Sequence, residues 1–123
     1  MNPAANKRRG ASFELDLLEY FRQRDAPERL RLAGKADEGD LVIRHDTGIG
    51  DYRLIIEAKA AKSFDLSGWV SEMHSEVTNY AESRDIHLNV HGLVVVKRPR
   101  AKIWESYVVK TLADELALWE DLA

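Results

Sequence analysis

Along residues 12–24, SFELDLLEYFRQR, apolar side chains fall at 13, 17, 18, 20 and 21, a helical period, with Ser12 as the expected N-cap. The next stretch, ERLRLAG (28–34), alternates Leu30 and Leu32 with charged neighbours and predicts a short strand. DLVIRH (40–45) and YRLIIEAKA (52–60) are rich in Val, Ile and Leu and predict two strands joined through DTGIGD. A second helix is expected from about Asp65 to Ser83, capped by Asp65 or Ser67, with Trp69, Met73, Val77 and Tyr80 as a core-facing stripe. HLNVHGLVVVKR (87–98) contains an apolar strand, and KIWESYVV (102–109) a further one. TLADELALWEDLA (111–123) ends the chain as a helix, with Thr111 and Asp114 placed like a capping box. The order α-β-β-β-α-β-β-α predicts an α/β fold, a mixed sheet flanked by helices.

The chain of 123 residues is long enough for one domain with its own core. Within that domain, residues 1–11 read as a basic N-terminal segment and 99–123 as a C-terminal strand-and-helix extension. The absence of cysteine removes disulfides and Cys-based zinc sites and fits a reducing compartment. With no apolar run near the ~18 residues of a membrane span and no signal-peptide pattern, a cytoplasmic location without a membrane partner is expected. A formal net charge of −3 excludes a uniformly basic nucleic-acid binder. Positive charge nonetheless clusters in NKRR (6–9) and KRPRAK (97–102). Such clusters read either as solvated ends and loops or as a local phosphate-binding surface.

The predicted hairpin carries charge where a plain hairpin needs none. With the turn centred between Gly48 and Ile49, paired positions sum to 97 and Asp40 lies opposite Glu57, at a Cβ separation of roughly 4.5–5.5 Å. Lys59 falls on the face of Glu57 by the period of two, while Leu41, Ile43, Leu54 and Ile56 share the other face. Two carboxylates ~5 Å apart repel by roughly 3 kcal/mol at an effective dielectric near 20. A divalent cation between them reverses the sign, and Mg²⁺ favours such oxygen ligands. Lys59 beside that cation would orient or help deprotonate a water, or neutralise developing charge. The alternative is a salt bridge from Lys59 to Glu57 at an exposed strand end, with Asp40 simply starting a strand.

Glu14 precedes Leu17, Leu18 and Phe21 by three, four and seven residues, so it lies along the buried stripe of the first helix. It reads as an acid favoured near a helix N-terminus, or as a third carboxylate aimed at the sheet end of Asp40 and Glu57. Glu14, GDLVI with Asp40, and IIEAKA with Glu57 and Lys59 together resemble the PD-(D/E)xK nuclease superfamily. NKRRGASFELDLLEYF followed by RLRLAGKADEGDLV is similar, more narrowly, to the archaeal-type Holliday junction resolvases and their phage relatives. The similarity covers residues 6 to about 62, and 63–98 as a helix-then-strand pattern.

That resemblance implies a restriction-endonuclease-like αβββαβ core and a homodimer acting on branched DNA. It implies Mg²⁺, with Mn²⁺ as a substitute, held by Asp40, Glu57 and the Ala58 carbonyl, with Glu14 completing the site. Lys59 would serve the attacking water, making Glu14, Asp40, Glu57 and Lys59 the catalytic set. Lys7, Arg8, Arg9, Lys35 and Lys62 would meet phosphates. The chain departs from the pattern in having Gly39 in place of the proline before the aspartate, and a long span between Asp40 and Glu57. Glu76 and Tyr80 resemble the QxxxY helix of exonuclease relatives with Glu for Gln, and are read instead as a feature of the helix surface.

His45, His74, His87 and His91 have no metal-ligand spacing. Trp104, Tyr107 and Trp119 are expected mostly in the core, with some at a dimer interface. A structure-selective junction endonuclease is thus the leading expectation. Its alternatives are a restriction-like or repair endonuclease on duplex DNA, and a non-catalytic nucleic-acid-binding module of the same fold.

Overall fold

Three apolar runs, Leu41–Val42–Ile43, Ile55–Ile56 and Leu93 to Val96, are buried at every position. A strand buried on alternate residues needs one covering layer; a strand buried on all of them needs two. The computed structural model supplies both. It describes the backbone of residues 3–23, 26–29, 38–46 and 51–122, and the side chains of 10–23, 38–44 and 51–121.

The elements run α1 (Pro3–Arg22), β1 (Ala26–Arg29), β2 (Leu41–Asp46), β3 (Asp51–Lys59), α2 (Leu66–Ser83), β4 (Val90–Val96), β5 (Tyr107–Val109) and α3 (Leu112–Leu122), with a 3₁₀ turn at Ile103–Glu105 before β5. The five strands form one mixed sheet in chain order. Only β3 and β4 pair in parallel, and α2 is the crossover that parallel pairing requires. The α/β architecture expected from the hydrophobic pattern is the one observed. No described helix is long and apolar enough to cross a membrane.

The two faces of the sheet are distinct. Phe13, Leu17 and Leu18 of α1 pack against Leu41, Ile43, Ile56, Leu93 and Val95. On the other face Trp69 and Met73 of α2 pack against Val94 and Val96, and Tyr80 packs against Val42 and Ile55. Gly92 lets α2 settle onto β4, since a Cβ there would come within 2.4 Å of Val77 Cγ2 and 2.6 Å of Met73 Sδ. Burying side chains as large as Met73 and Tyr80 contributes about 1.5–3 kcal/mol each. Asp65 caps α2, its carboxylate accepting the Gly68 N–H at 3.1 Å. Thr111 and Asp114 form the expected reciprocal cap on α3, through Asp114 N to Thr111 Oγ1 at 3.1 Å and Thr111 N to Asp114 Oδ2 at 3.0 Å.

Four expectations are corrected. Helix α1 starts at Pro3, not at Ser12, so the basic N-terminal residues from Pro3 on are helical. Proline suits the first turn and Ala, Lys and Arg propagate it, which outweighs the single Gly10. The strand expected at 28–34 is observed at Ala26–Arg29, pairing with 41–44; residues 30–37 lie outside the described residues. Pro27 is compatible with this strand because β1 lies at the sheet edge. The strand expected at 102–109 is shorter, its first part being the 3₁₀ turn. Finally, Trp104, Tyr107 and Trp119 are not core: they are exposed at 62%, 49% and 60%. The sheet ends at β5 among the described strands, so its outward residues have no further layer to enter.

Candidate active site

The β2–β3 register runs from Leu41↔Ile56 to Asp46↔Asp51, every pair summing to 97. This is the register expected from a turn centred after Gly48. At its end the chain leaves the ladder. Asp40 N–H donates to the Ile56 carbonyl at 3.1 Å, and the Asp40 carboxylate accepts the Ala58 N–H at 2.8 Å through Oδ2. Asp40 is therefore locked onto the residue between Glu57 and Lys59. Gly39, with φ +97°, makes the bend possible, a conformation closed to the proline of the usual motif.

Glu57 and Lys59 share the α2 face of β3, as the period of two requires. Lys59 Nζ lies 3.2 Å from Glu57 Oε1 and 2.9 Å from Glu72 Oε2 of α2. Burial would lower the Lys59 pKa, but the Glu72 and Glu57 carboxylates outweigh it and hold the ammonium above its ordinary value. The same carboxylates make the Lys59 ammonium a fixed hydrogen-bond donor at this end of β3. Burial pushes the Glu57 carboxyl up, against the partial opposing effects of contact with Glu76 and of the Lys59 charge.

Glu76 corrects the reading of that residue as helix surface. It is 1% exposed, and so is Tyr80. One carboxylate oxygen each from Glu57, Glu72 and Glu76 lies within 4.8 Å of the other two. The signal was present in the sequence. Glu76 lies seven residues after Trp69, three after Met73 and four before Tyr80, the same criterion that singled out Glu14 on α1. A carboxylate inside an apolar stripe has a partner waiting across the interface, and here it is Glu57.

The other expected residues are distributed as follows. Glu14 is half-buried on α1, between buried Phe13 and Leu17, on the helix that covers the opposite face from α2. Neither Glu14 nor Asp40 is among the three carboxylates gathered at Glu57. Ala58 packs with the α1 face, while its amide serves Asp40. Lys7, Arg8 and Arg9 lie in the first half of α1, their side chains outside the described residues, and Lys35 lies outside them altogether.

Lys62 is exposed and lines a cavity of about 370 Å³ with Ala60, Ala61, Lys97, Pro99 and Arg100. Lys97 and Arg100 belong to the basic KRPRAK run noted in the sequence but not assigned there to the site. The backbone brings them there: Lys97 N–H donates to the Lys59 carbonyl at 2.9 Å, so this run leaves the sheet directly beside the end of β3. None of Lys62, Lys97 and Arg100 has an ion-pair partner among the described residues.

A further network fixes the segment leading into Asp40. Glu38, buried at 5%, accepts from Arg84 Nη1 at 2.6 Å and from the Ser83 hydroxyl at the end of α2. Arg84 stacks 3.8 Å from the Tyr80 ring centroid, and Tyr80 O–H accepts from Arg53 Nη1 at 3.0 Å. No described histidine joins the carboxylate group of Glu57, Glu72 and Glu76. His74 pairs with Asp114 at 2.8 Å and His91 with Asp121 at 2.5 Å, both tying α3 to the body of the fold; the side chain of His45 lies outside the described residues.

No protein-family model matches the sequence, and no curated protein does. Among solved structures, Hjc, a Holliday junction resolvase from the archaeal hyperthermophile Archaeoglobus fulgidus, is similar with a TM-score of 0.51 and 22% identity, over 80% of this chain and 72% of that one. The chain thus has the α/β fold of an archaeal Holliday junction resolvase, with an acidic cluster and a lysine at the end of its central hairpin.

Proposed function

We propose that the protein is a Mg²⁺-dependent, structure-selective DNA endonuclease that resolves four-way junctions by hydrolysing phosphodiester bonds. One observation carries the reading. Asp40 is clamped onto the amide of Ala58, the residue between Glu57 and Lys59, in a chain that shares the fold of a Holliday junction resolvase.

The residues suit a divalent cation. Glu57 Oε2 is buried and has no hydrogen-bond donor among the described residues, a costly arrangement that a cation relieves. Asp40, Glu57, the Ala58 carbonyl and Glu14 would hold Mg²⁺, with Mn²⁺ as a substitute. The cation supplies activation of the attacking water and neutralisation of the phosphate. Lys59 contributes a fixed positive charge and an N–H donor for the scissile phosphate or the water, kept protonated by Glu57 and Glu72.

Lys62, Lys97 and Arg100 continue the positive surface outward from Lys59, and Lys7, Arg8, Arg9 and Lys35 are taken as further phosphate contacts in this reading. This local surface compensates for the net charge of −3. Residues 1–123 act in this reading as one nuclease domain of a cytoplasmic homodimer. The exposed apolar side chains of β5 and α3, Val108, Leu112, Leu116 and Trp119, supply the contact between copies.

The test is cleavage of a labelled immobile four-way junction beside a matched linear duplex, with Mg²⁺, by wild type and Asp40→Asn. Paired symmetric cuts of the junction alone, lost in the variant, are expected. Equal cutting of both substrates would assign a duplex endonuclease instead. No Asp40-dependent cutting with either Mg²⁺ or Mn²⁺ would assign a binding module.

A further inference from the structure

Trp104 is 62% exposed, yet it sits on a fixed turn and not on a loose end. In the 3₁₀ segment Ile103–Glu105, Ile103 packs inward against the core cluster of Phe13 and Leu17, while Trp104 stays outside. The Glu105 carboxylate accepts the Lys102 N–H at 2.9 Å, and Arg98 Nη1 donates to the Glu105 carbonyl at 3.4 Å, so the turn is held at both ends. We propose that Trp104 and Tyr20 form a stacking platform for one unpaired nucleobase of a DNA strand whose phosphates run along Lys102 and Lys97. This deepens the nuclease reading and rests on it for the nature of the bound strand.

The cavity at this place suits a base. About 340 Å³ lies between α1 and the turn, within the roughly 300–1,000 Å³ of small-ligand clefts. Tyr20 and Trp104 both line it, their ring centroids 6.5 Å apart and their planes tilted by 32°. Exposed rings of this kind take any base, because every base has a π-face.

The charges of the walls differ. Lys97 and Lys102 line the side of the turn, and Lys102 Nζ is 5.2 Å from the Trp104 ring centroid. Neither lysine has an ion-pair partner among the described residues. Asp16 and Glu19 of α1 line the other side, Glu19 being bound to Arg22 at 2.9 Å. A nucleotide complements this arrangement. Its phosphate meets the lysines, its base lies on the rings, and the Asp16 carboxylate accepts from an amino group at the base edge. An apolar partner would use the rings and leave both walls without a counterpart.

Lys97 joins the platform to the basic surface beside the nuclease motif. It lines this cavity as well as the one shared by Lys62 and Arg100, and its N–H is bonded to the Lys59 carbonyl. A strand leaving the Glu57–Lys59 end of β3 along these cations therefore passes Lys97 on its way to Trp104. Bases inside a duplex are stacked on one another and offer no free face, so the platform selects an unpaired nucleotide.

Fluorescence anisotropy on the full chain in EDTA tests this, with a labelled deoxyoligonucleotide of roughly ten nucleotides, single-stranded or annealed to its complement. Trp104→Ala should weaken single-strand binding by about tenfold and leave duplex binding unchanged, while Trp104→Phe keeps most of the affinity. Leu88→Ala removes another exposed apolar side chain, before the opposite end of β4, and should change neither. Circular dichroism is the fold control. Unchanged single-strand affinity in Trp104→Ala would overturn the proposal, as would a loss shared equally by the duplex or an absence of single-strand binding in wild type. It would also be overturned if Trp104→Ala separated two copies of the chain in the ultracentrifuge, since Trp104 would then belong to an interface. No metal and no cleavage enter this readout, so failure of the nuclease reading is detected separately, in the junction assay.

Discussion

A Cβ on Gly39 would stand 3.4 Å from Glu76 Oε2 and only 2.7 Å from Ile55 Cγ2. The glycine that replaces the usual proline and the glutamate of α2 are thus two sides of one contact. The chain turns at φ +97° to bring Asp40 onto Ala58, and passes close over α2 in doing so.

Gly39→Ala is therefore expected to destabilise the protein by about 1–3 kcal/mol, from the left-handed backbone and the overlap with Ile55. Urea denaturation checks it. Cleavage should fall as well, because the Asp40 bend shifts with the strain. Gly39→Pro, although it restores the usual motif, should be worse than alanine, since proline is restricted to negative φ.

Lys59→Gln keeps length and removes charge. Cleavage should drop by about two to three orders of magnitude while the fold persists, as when one preorganised donor to a reacting phosphate is lost. Single-turnover kinetics at saturating metal, with circular dichroism as the fold control, measure it. Activity within tenfold of wild type would remove Lys59 from the catalytic set.

Replacing Lys62, Lys97 and Arg100 by alanine should weaken DNA binding and flatten its salt dependence. For each cation that meets a phosphate the slope of log affinity against log salt should fall by about one. Fluorescence anisotropy between ~50 and 200 mM salt reads this. An unchanged slope would place the phosphate track elsewhere.

Asp114 links the cap of α3 to His74, and its behaviour with pH follows from that position. Burial raises its pKa, but the hydrogen bonds from His74 and Thr111 prevail and lower it below the ordinary value. A carboxylate with a depressed folded pKa contributes stability above its unfolded pKa, near 3.9, and loses it as pH falls through the folded value. Wild type should therefore lose stability relative to Asp114→Asn as pH drops from about 5 toward 3. Denaturation midpoints of the two proteins across that range should converge.

Trp119→Glu places a charge in the exposed apolar surface of α3. The proposed homodimer is expected to dissociate with the monomer still folded, as seen by analytical ultracentrifugation and circular dichroism. A dimer that survives this substitution would move the interface away from α3.

Much of the site was legible because local physics determines it. The register of β2 and β3 follows from a turn centre and an alternation of apolar side chains. A shift of one residue would have turned Leu41, Ile43 and Ile56 away from α1. Hence Asp40 falls immediately before β2, near the Glu57–Lys59 end of β3, where it binds the Ala58 amide, and Glu57 and Lys59 share one face. The Asp65 cap and the Thr111–Asp114 box were readable for the same reason, being bonds between residues a turn apart.

What lies across an interface was decided only by the tertiary structure. The periodicity of α2 put Glu76 in the stripe of Trp69, Met73 and Tyr80, yet whether a carboxylate there is surface or core depends on the face of β3 it meets. That face carries Glu57 and Lys59, so Glu76 is buried. Trp104, Tyr107 and Trp119 show the converse. Their hydrophobicity predicts burial, but burial needs a surface to press against, and the described sheet stops at β5. Sequence determines which side chains seek an apolar or charged partner; only the packing of distant elements determines whether one is there.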